Sequence, residues 1–352
     1  MNKTGPKLYL AIDGGTTNTR ARLFRGDNFL SAATRTVGVR DVAIDGTTEP
    51  LRQAVAECVA DAVSRASVRI EDVGLVCASG MLTSNVGLCE VPHVLAPAGL
   101  DELARHVVTV PMPEIAPQPI YLIPGVKTMT RADNPPRPTP YGKQRRSHGA
   151  WDSLAEIDIL RGEESEMFGI LAATGRHGPL CLLLPGSHTK LVRIDASDRI
   201  TGSFTTIAGE VMQAIAEHTI LAHSIDWPPQ GEPDWPTVLA GADFARYEGL
   251  LRAGFAVRLA DVVLQLDRTA RTWFFVGMIV GTDITELIGE FARSPQYSHA
   301  APLVIGGRQP LRSAYGMLIR DLGFGSVEVL DDAIVEFASA RGAIAIASAA
   351  IG

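Results

Sequence analysis

Two segments far apart in the chain share one pattern: an apolar strand, a glycine turn that carries hydroxyl groups, and a second strand. The first is AIDGGTTNTRARLF at residues 11–24, and the second is LLLPGSHTKLVRID at residues 182–195. One such hairpin carries little information, because glycine turns join antiparallel strands in many folds. Two of them, each opening a half of the chain, predict a duplicated α/β fold with a cleft between the halves.

Strand and helix patterns alternate through the first half. Apolar residues recur at every fourth position from Leu51 to Val63 and predict an amphipathic helix over 49–66. Short apolar strands are predicted over 73–78 and 120–123. Strands that alternate with helices indicate an α/β domain.

The second half begins with a helical pattern over 154–173, followed by the second hairpin and a long helical region. A buried strand is predicted over 302–305. It ends in Gly306 and Gly307, before a helix that begins near Pro310.

A basic, proline-rich stretch at 131–150, RADNPPRPTPYGKQRRSHGA, separates the halves. Its four prolines and five Arg/Lys residues predict an exposed loop or linker rather than a core element. A lid over an anionic substrate is the alternative that its charge leaves open.

The composition indicates a soluble globular protein. The formal net charge of −7 disfavours a nucleic-acid partner, because proteins that hold phosphate backbones usually present a basic face. Four scattered cysteines without a C-x-x-C pair predict buried, reduced thiols: Cys58, Cys77, Cys89 and Cys181.

No secretory signal pattern opens the chain. The apolar stretch 333–352 contains Glu336 and Arg341, which argues against a membrane span. We therefore expect a cytoplasmic protein without a membrane partner.

The first turn offers a candidate phosphate site. Asp13 ends an apolar strand and precedes Gly14, Gly15, Thr16 and Thr17. Backbone amides in a glycine turn can close around phosphate oxygens, and hydroxyls add donors. A neighbouring carboxylate can hold Mg²⁺, often through water. A plain hairpin capped by an aspartate turn is the alternative.

The second turn offers the same groups and adds a cation: Gly186, Ser187, His188, Thr189 and Lys190. His188 has no His or Cys at metal-ligand spacing, so we expect a turn residue there rather than a metal ligand.

Between the hairpins, RGEE supplies Arg161, Glu163 and Glu164. Phosphoryl transfer to a hydroxyl needs a carboxylate that orients the nucleophile and accepts its proton. The pair could equally be two exposed carboxylates at a helix start, where the helix dipole favours them. Adjacent helical side chains point in different directions, so at most one is expected to face a reaction.

Several other enzyme classes lack support. The chain has no G-x-x-x-x-G-K-[ST] phosphate loop, no G-x-G-x-x-G after its first strand, no H-E-x-x-H and no G-x-S-x-G.

The motifs resemble those of the actin/hexokinase/Hsp70 superfamily. The turn at 13–18 resembles its first phosphate motif, the hairpin at 185–190 its second, and 304–307 its adenosine motif. The small-residue helix around Gly342 resembles its second connecting helix. These motifs occur in the superfamily's order and span nearly the whole chain.

Within that superfamily the chain resembles the 2-dehydro-3-deoxygalactonokinases. The segments that carry the likeness are AIDGGTTNTRARLF, SGMLTSNVG, IPGVKT, RGEE, LLPGSHTKLV and AGE at 208–210. The family phosphorylates the 6-hydroxyl of a six-carbon 2-keto-3-deoxy sugar acid with MgATP, in galactonate breakdown. The resemblance implies this activity, with ATP and Mg²⁺, and leaves a homo-oligomer open. A kinase for another sugar acid and a non-catalytic sugar or nucleotide sensor are the alternatives.

Two departures stand out. The stretch 131–150 looks like an insertion. Gly14 stands where related kinases often carry Trp, which predicts a larger or softer sugar pocket.

The resemblance also implies roles for single residues. Related carbohydrate kinases carry a Gly-Asp-Gln element whose Asp is the base, and Gly162-Glu163-Glu164 occupies that place. This favours Glu163 as the base over Glu164, with Glu210 as the further alternative, while Asp13 holds Mg²⁺.

The fold implied is a pair of ribonuclease-H-like α/β domains with mixed sheets around a central cleft. The N-terminal domain, 1–152, would hold the sugar acid, and the C-terminal domain, 153–352, the nucleotide. ATP would lie between the two turns with its adenosine toward Gly306 and Gly307. For the substrate carboxylate, the bidentate guanidinium of Arg161 is the first choice and Lys127 the second. The predicted substrate residues are Ser84, Asn85, Gly125, Lys127, Arg161 and Glu164.

Overall fold

A computed structural model describes residues 7–129, 150–154, 157–291 and 301–352. These residues form fourteen strands in three sheets, together with eleven α-helices. The stretch 131–150 lies outside the described residues except for Ala150, so its predicted role as a loop, lid or insertion stays a prediction.

The first sheet is built on the predicted hairpin. Its strand order is β3-β2-β1-β4-β7-β6. β1 pairs with β2 antiparallel and with β4 parallel, which sets Asp13 opposite Arg20 on one side and Ser79 on the other. The strands are β1 (Leu8–Gly14), β2 (Thr19–Arg25), β3 (Asn28–Arg35), β4 (Leu75–Gly80), β6 (Val108–Val110) and β7 (Ile120–Leu122).

Three helices belong to this half. The predicted amphipathic helix is confirmed, and it packs against β2 and β3 with Leu51, Val55 and Val59 buried. The helices are α1 (Val39–Asp45), α2 (Glu49–Arg65) and α3 (Leu100–Ala104), with short 3₁₀ turns at Ile70–Asp72 and Met81–Thr83.

A second sheet, of five strands, repeats the arrangement. Its order is β12-β11-β10-β13-β14, with the hairpin and the third strand antiparallel and the remaining pairs parallel. The first sheet has the same order and the same directions over β3-β2-β1-β4-β7, so the predicted duplication is confirmed. The strands are β10 (Leu180–Leu184), β11 (Thr189–Ile194), β12 (Ile200–Thr206), β13 (Leu303–Ile305) and β14 (Val327–Val329).

Helices cover one face of this second sheet and bury a core around Trp273, Phe275 and Tyr315. The predicted helix near Pro310 begins at Leu311. The helices are α6 (Ala208–His218), α7 (Trp235–Glu248), α8 (Leu250–Val262), α9 (Arg268–Phe291) and α10 (Leu311–Asp321), with a 3₁₀ turn at Ile220–His223.

A small third sheet corrects one prediction. Its strands are β5 (Val94–Leu95), β8 (Val126–Met129) and β9 (Ile157–Leu160), and helix α4 (Ala150–Ser153) precedes β9. The predicted helix over 154–173 is wrong in its first part, because 157–160 pair antiparallel with β8 and helix α5 (Glu163–Thr174) starts only afterwards. The predicted domain boundary at 152 falls between these paired strands, and it stays a prediction.

Two helices connect the halves. α11 (Asp332–Ile351) packs along α5 and also against β1 and β4. A Cβ atom at Gly169 would lie 1.8 Å from the Ala338 carbonyl oxygen, and one at Gly342 would lie 1.7 Å from that of Ser165. Glycine at both positions is therefore what lets the two backbones touch.

Among the described residues, α11 alone has the length and composition of a membrane span. Its buried face, which includes Ala343 and Ile346, packs in the protein core. About a third of the apolar window of α11 is buried in this way (33%).

The cysteines are free thiols, as predicted. Cys58, Cys77 and Cys181 are buried, and Cys89 is partly buried. Burial raises the pKa of the Cys77 and Cys181 thiols to about 12, so both stay protonated near neutral pH.

Candidate active site

The first glycine turn is held from behind by the start of α1. The Gly15 N–H donates to the Asn18 carbonyl at 2.8 Å, and the Arg40 N–H donates to the Thr16 carbonyl at 3.0 Å. A Cβ atom at Gly38 would lie 2.3 Å from the Thr16 carbonyl oxygen. The turn between β1 and β2 thus has a fixed shape, as an anion-binding turn requires.

Gly14 does not leave an empty pocket. A Cβ atom there would lie 2.4 Å from Cγ of Leu82, a fully buried side chain. The larger sugar pocket expected at Gly14 is therefore wrong, since Leu82 fills the space.

Asp13 is half-buried at the end of β1. A Cβ atom at Gly80 would come within 3.0 Å of its Oδ1. Within the described ranges its carboxylate accepts no hydrogen bond. Burial raises its pKa, while the charges of Arg22 and Arg20 oppose that shift. A carboxylate in such a position is one that a cation would stabilise.

The start of α5 lies directly beside this carboxylate. Gly162 has a φ of 111°, in the region that favours glycine, and a Cβ atom on it would lie 3.2 Å from the Gly80 Cα. The helix therefore starts next to the end of β4. Glu163 follows at once, half-buried, with Oε2 accepting from the Arg161 N–H at 2.8 Å.

Glu164 points the other way. It is 1% exposed, and both its carboxylate oxygens accept from the Gly162 N–H, at 2.9 and 2.8 Å. Burial raises its pKa to about 7, and the nearby charge of Glu163 adds to the shift. Its predicted contact with the substrate stays a prediction, which this burial does not favour.

Glu166 was not predicted from the sequence. It lies three residues after Glu163, a spacing that puts both on one face of α5 and could have revealed it. Burial raises its pKa to about 7, helped by the charges of Glu163 and Asp13, while the Gly307 N–H opposes the shift. A Cβ atom at Gly306 would lie 3.7 Å from its Oε1. The side chain of Glu166 therefore lies close both to Asp13 at the first turn and to the predicted adenosine segment.

Arg22 was also missed. Burial lowers its pKa, and the charges of Asp13, Glu336 and Glu166 oppose that shift. It is therefore the cation that faces this group of carboxylates from β2.

The second turn is supported in the same way, by the start of α6. A Cβ atom at Gly209 would lie 2.1 Å from the Gly186 carbonyl oxygen, and the Glu210 N–H donates to the Ser187 carbonyl at 3.0 Å. His188 Nε2 lies 3.5 Å from Glu210 Oε1. Both predicted phosphate turns therefore rest on a helix start.

The predicted adenosine segment touches this turn. Gly307 has a φ of 72°, and a Cβ atom on it would lie 2.3 Å from the Pro185 carbonyl oxygen. Gly306 donates its N–H to the Leu183 carbonyl at 2.8 Å, and Arg312 Nη1 donates to the Gly307 carbonyl at 3.2 Å.

Two of the predicted nucleotide residues point into the protein. Thr189 is fully buried, with its hydroxyl 3.0 Å from the Tyr315 hydroxyl, which in turn donates to Asp283. Lys190 is also buried, and its Nζ donates to the Ile159 carbonyl at 2.8 Å.

The guanidinium of Arg161 forms hydrogen bonds with other residues of the protein. Its Nη1 donates to the Thr83 carbonyl and hydroxyl, at 2.5 and 2.8 Å, and its Nη2 donates to the Val91 carbonyl at 2.9 Å. Both His93 ring nitrogens lie 3.1–3.2 Å from Nη2. The guanidinium therefore fixes the segment between β4 and β5.

His93, which the sequence did not reveal, lies among three cations: Arg161, Lys127 and Lys190. Burial and these charges lower its pKa to about 4, so the ring is neutral near pH 7. A Cβ atom at Gly125 would lie 2.8 Å from its Cδ2. We call these three side chains around His93 the cationic cluster, and it is a surrounding that favours an anion.

Ser84 and Asn85 lie beside this cluster, in the segment that Arg161 holds. The Ser84 hydroxyl donates to the Met81 carbonyl at 2.8 Å, while Asn85 is exposed. The structure thus brings most of the predicted substrate residues together.

The chain matches the 2-keto-3-deoxy-galactonokinase family over residues 13–135 and 148–343. It belongs to that family. It is a carbohydrate kinase, and ATP is the second substrate that this class of enzyme uses. The family match skips residues 136–147, inside the stretch predicted to be an insertion.

Two relatives agree with this family. The chain is 26% identical to the 2-dehydro-3-deoxygalactonokinase of Escherichia coli, over 92% of this chain and 93% of that one. The fold of the present chain is similar to that of a crystal structure from Sinorhizobium meliloti, which carries the provisional name 2-dehydro-3-deoxygalactonokinase. The TM-score is 0.67, at 22% identity, with 97% of this chain and 95% of that chain covered.

Asp13 stays a predicted magnesium ligand. Among its described residues no group of three or more His, Cys, Asp or Glu side chains is placed to hold a metal ion. A lone carboxylate such as Asp13 suits Mg²⁺, which keeps several waters and takes its other ligands from substrate phosphates.

Proposed function

We propose that this kinase transfers the γ-phosphoryl group of ATP to the 6-hydroxyl of 2-dehydro-3-deoxygalactonate, as a cytoplasmic step of galactonate breakdown. Family membership and the E. coli relative support the reaction. The observation that carries the substrate class is the cationic cluster, which lies next to the start of α5 and suits a sugar that bears a carboxylate.

The nucleotide lies between the two turns. Backbone amides of the two turns, such as those of Thr16 and Gly186, face its phosphates, and the adenosine lies toward Gly306 and Gly307. What supports this placement is that both turns rest on helix starts and that Glu166 lies within reach of both halves.

Asp13 is the residue that would hold Mg²⁺, through water. Bound there, the ion would neutralise negative charge that develops on the phosphates. The charge of Arg22, on the neighbouring strand β2, opposes the burial that raises the pKa of Asp13 and so favours the ionised carboxylate.

Glu163 is the base. It accepts the proton of the 6-hydroxyl as the hydroxyl oxygen bonds to the γ-phosphorus; the bond from that phosphorus to the β–γ bridging oxygen breaks, and ADP leaves. Its Oε2 is fixed by the Arg161 N–H, which leaves Oε1 for the substrate. Glu164 serves instead as a buried cap of the helix start.

Lys127 binds the substrate carboxylate. Within the described ranges its ammonium makes no hydrogen bond or ion pair, whereas the guanidinium of Arg161 is occupied by Thr83 and Val91. Arg161 and Lys190 then supply positive potential from behind.

A coupled assay of ADP release tests this function. The wild type should turn over ATP with 2-dehydro-3-deoxygalactonate, less well with its epimer 2-dehydro-3-deoxygluconate, and far more weakly with neutral hexoses. Glu163→Gln, purified in parallel, controls for a contaminating kinase. A preference for glucose or glycerol would refute the sugar-acid assignment, and a preference for the epimer would refute the stereochemistry alone.

A further inference from the structure

α8 is apolar on two opposite faces. Ala253 and Val257 are fully buried toward the neighbouring helices. On the opposite side, Leu251 and Phe255 are 90% and 54% exposed, and the helical period continues this stripe through the partly buried Leu259 to Val262, which is 51% exposed. A helix that is apolar all round is normally covered on both sides.

The exposed stripe extends beyond the helix. The N–H groups of Val263 and Leu264 donate to the Leu259 carbonyl, so the chain stays against the last helical turn. Val263 and Leu264 are each 65% exposed. We call the exposed side chains of Leu251, Phe255, Val262, Val263 and Leu264, together with the partly buried Leu259, the α8 stripe.

The size of this surface suits an interface between two chains. At roughly 100 Å² for each of its five exposed side chains, the stripe offers about 500 Å², toward the upper end of the largest apolar patch on a typical monomer. Its length from Leu251 to Leu264 is about 20 Å at helical rise. With a polar rim, such a patch approaches the ~800 Å² that each partner buries in a standard interface.

Charge favours an antiparallel arrangement. Arg252, near the start of α8, is exposed and lies 6.0 Å from the Phe255 ring. A two-fold axis at the middle of the stripe places it beside the end of the other copy's α8. The last carbonyl groups of a helix carry partial negative charge, which a guanidinium stabilises.

We propose that the α8 stripe is the interface of a homodimer, in which two copies of α8 pack antiparallel about a two-fold axis. The contact is isologous, because each copy presents the same apolar face to the other. The candidate active site lies elsewhere on the chain, so the dimer does not require residues of the catalytic group.

Sedimentation velocity and light scattering at micromolar concentrations test the proposal. The wild type should have twice the mass of one chain. Leu251→Glu and Phe255→Glu should each give monomers that retain the wild-type circular dichroism and kcat, because a charge placed within an apolar contact loses its hydration. Ile44→Glu changes an equally apolar residue, 70% exposed on α1, and should remain dimeric.

A wild type that is monomeric throughout the micromolar range overturns the proposal. So does a dimer that neither Leu251→Glu nor Phe255→Glu dissociates. A monomer whose melting temperature falls with Leu251→Glu shows that another part of the same chain covers the stripe, which also overturns it.

Discussion

Glu163 and Glu164 are neighbours in the sequence, but the start of α5 gives them opposite surroundings. Glu163→Gln keeps the volume and the hydrogen bond to the Arg161 N–H but cannot accept a proton. We expect kcat to fall by about 10²–10⁴ with the KM for ATP nearly unchanged. Glu164→Gln should cost less than tenfold, and steady-state kinetics of both variants check this.

Reversed effects would make Glu164 the base. If neither variant lowers kcat tenfold, the base is neither residue, and Glu210 is the next candidate.

Glu164 should instead govern stability against pH. Its pKa is about 7 in the folded protein against 4.5 in a free chain. Because the folded state holds the proton more tightly, this group stabilises the fold at pH 4.5 and below and loses that contribution as the pH rises to about 7. Gln does not titrate, so the melting temperature of Glu164→Gln relative to wild type should rise between pH 5 and pH 8. This change in relative melting temperature should reach several degrees, because the pKa shift of Glu164 changes the free energy of unfolding by at most about 3 kcal/mol. A difference that is constant with pH would contradict it.

The roles of Lys127 and Arg161 can be distinguished, because replacing each residue should change a different measured quantity. Lys127→Ala should raise the KM for the sugar acid by about 10–100-fold, the value of a hydrogen bond between charged groups, with little change in the KM for ATP or in the melting temperature. Arg161→Ala should lower the melting temperature, because it leaves the Thr83 and Val91 carbonyls without their donor. If Lys127→Ala leaves KM unchanged, the carboxylate is bound elsewhere in the cationic cluster.

The sequence predicted those residues whose role can be recognised from their immediate neighbours in the chain. Asp13 and its turn could be recognised because a strand, two glycines and two hydroxyls follow one another in the chain. His93 could not, because its significance comes from Lys127 and Arg161, which folding brings to it from far along the sequence. The same holds for Arg22, because two of its carboxylate neighbours, Glu166 on α5 and Glu336 on α11, come from distant parts of the sequence.

At the scale of elements, the long periodic helix α2 and the short apolar strands β4, β7 and β13 were predicted correctly, whereas β9 and β12 were not. Residues 157–160 form β9 only because β8 offers it a hydrogen-bonding partner some thirty positions earlier. β12 was missed in the same way, since it is recognisable mainly by its pairing with β11. β9 has only four residues, and the seven residues of β12 are mostly polar, so neither is a continuous apolar run that identifies a strand by itself.

The crossing of α5 and α11 makes a prediction about glycine. Gly342→Ala places a Cβ atom 1.7 Å from the Ser165 carbonyl oxygen, so the two helices must separate. We expect a lower melting temperature and a lower kcat, since α5 carries Glu163 at its start. Gly254→Ala on α8 is the matched control: its Cβ meets only Met278 Cε, at 3.7 Å. It should be neutral or stabilising by up to about 1 kcal/mol. Equal effects of the two substitutions on the melting temperature would show that the crossing tolerates a side chain.

For the whole molecule, the repeated sheet order explains why two distant turns form one site. In each sheet the hairpin turn follows the strand that also pairs in parallel with a later strand. This strand is β1, paired with β4, in the first sheet and β10, paired with β13, in the second. α5 starts at the end of β4 and reaches the segment after β13 through Glu166. The cleft is therefore a product of the duplicated topology.

The packing of α11 against β1 and β4 has a consequence for synthesis. Phe337 lies 5.9 Å from Phe24 and 4.8 Å from Phe29, ring centre to ring centre, so residues near the end of the chain cover strands made first. While the ribosome is still producing the second half, this face of the first sheet has no cover and exposes apolar surface. A chain ended after Asp331 should therefore be retained by chaperones or aggregate, although every strand of both sheets is present. Recovery of that truncated chain as a soluble monomer with a cooperative melting transition would show that the first half completes its fold before α11 is made.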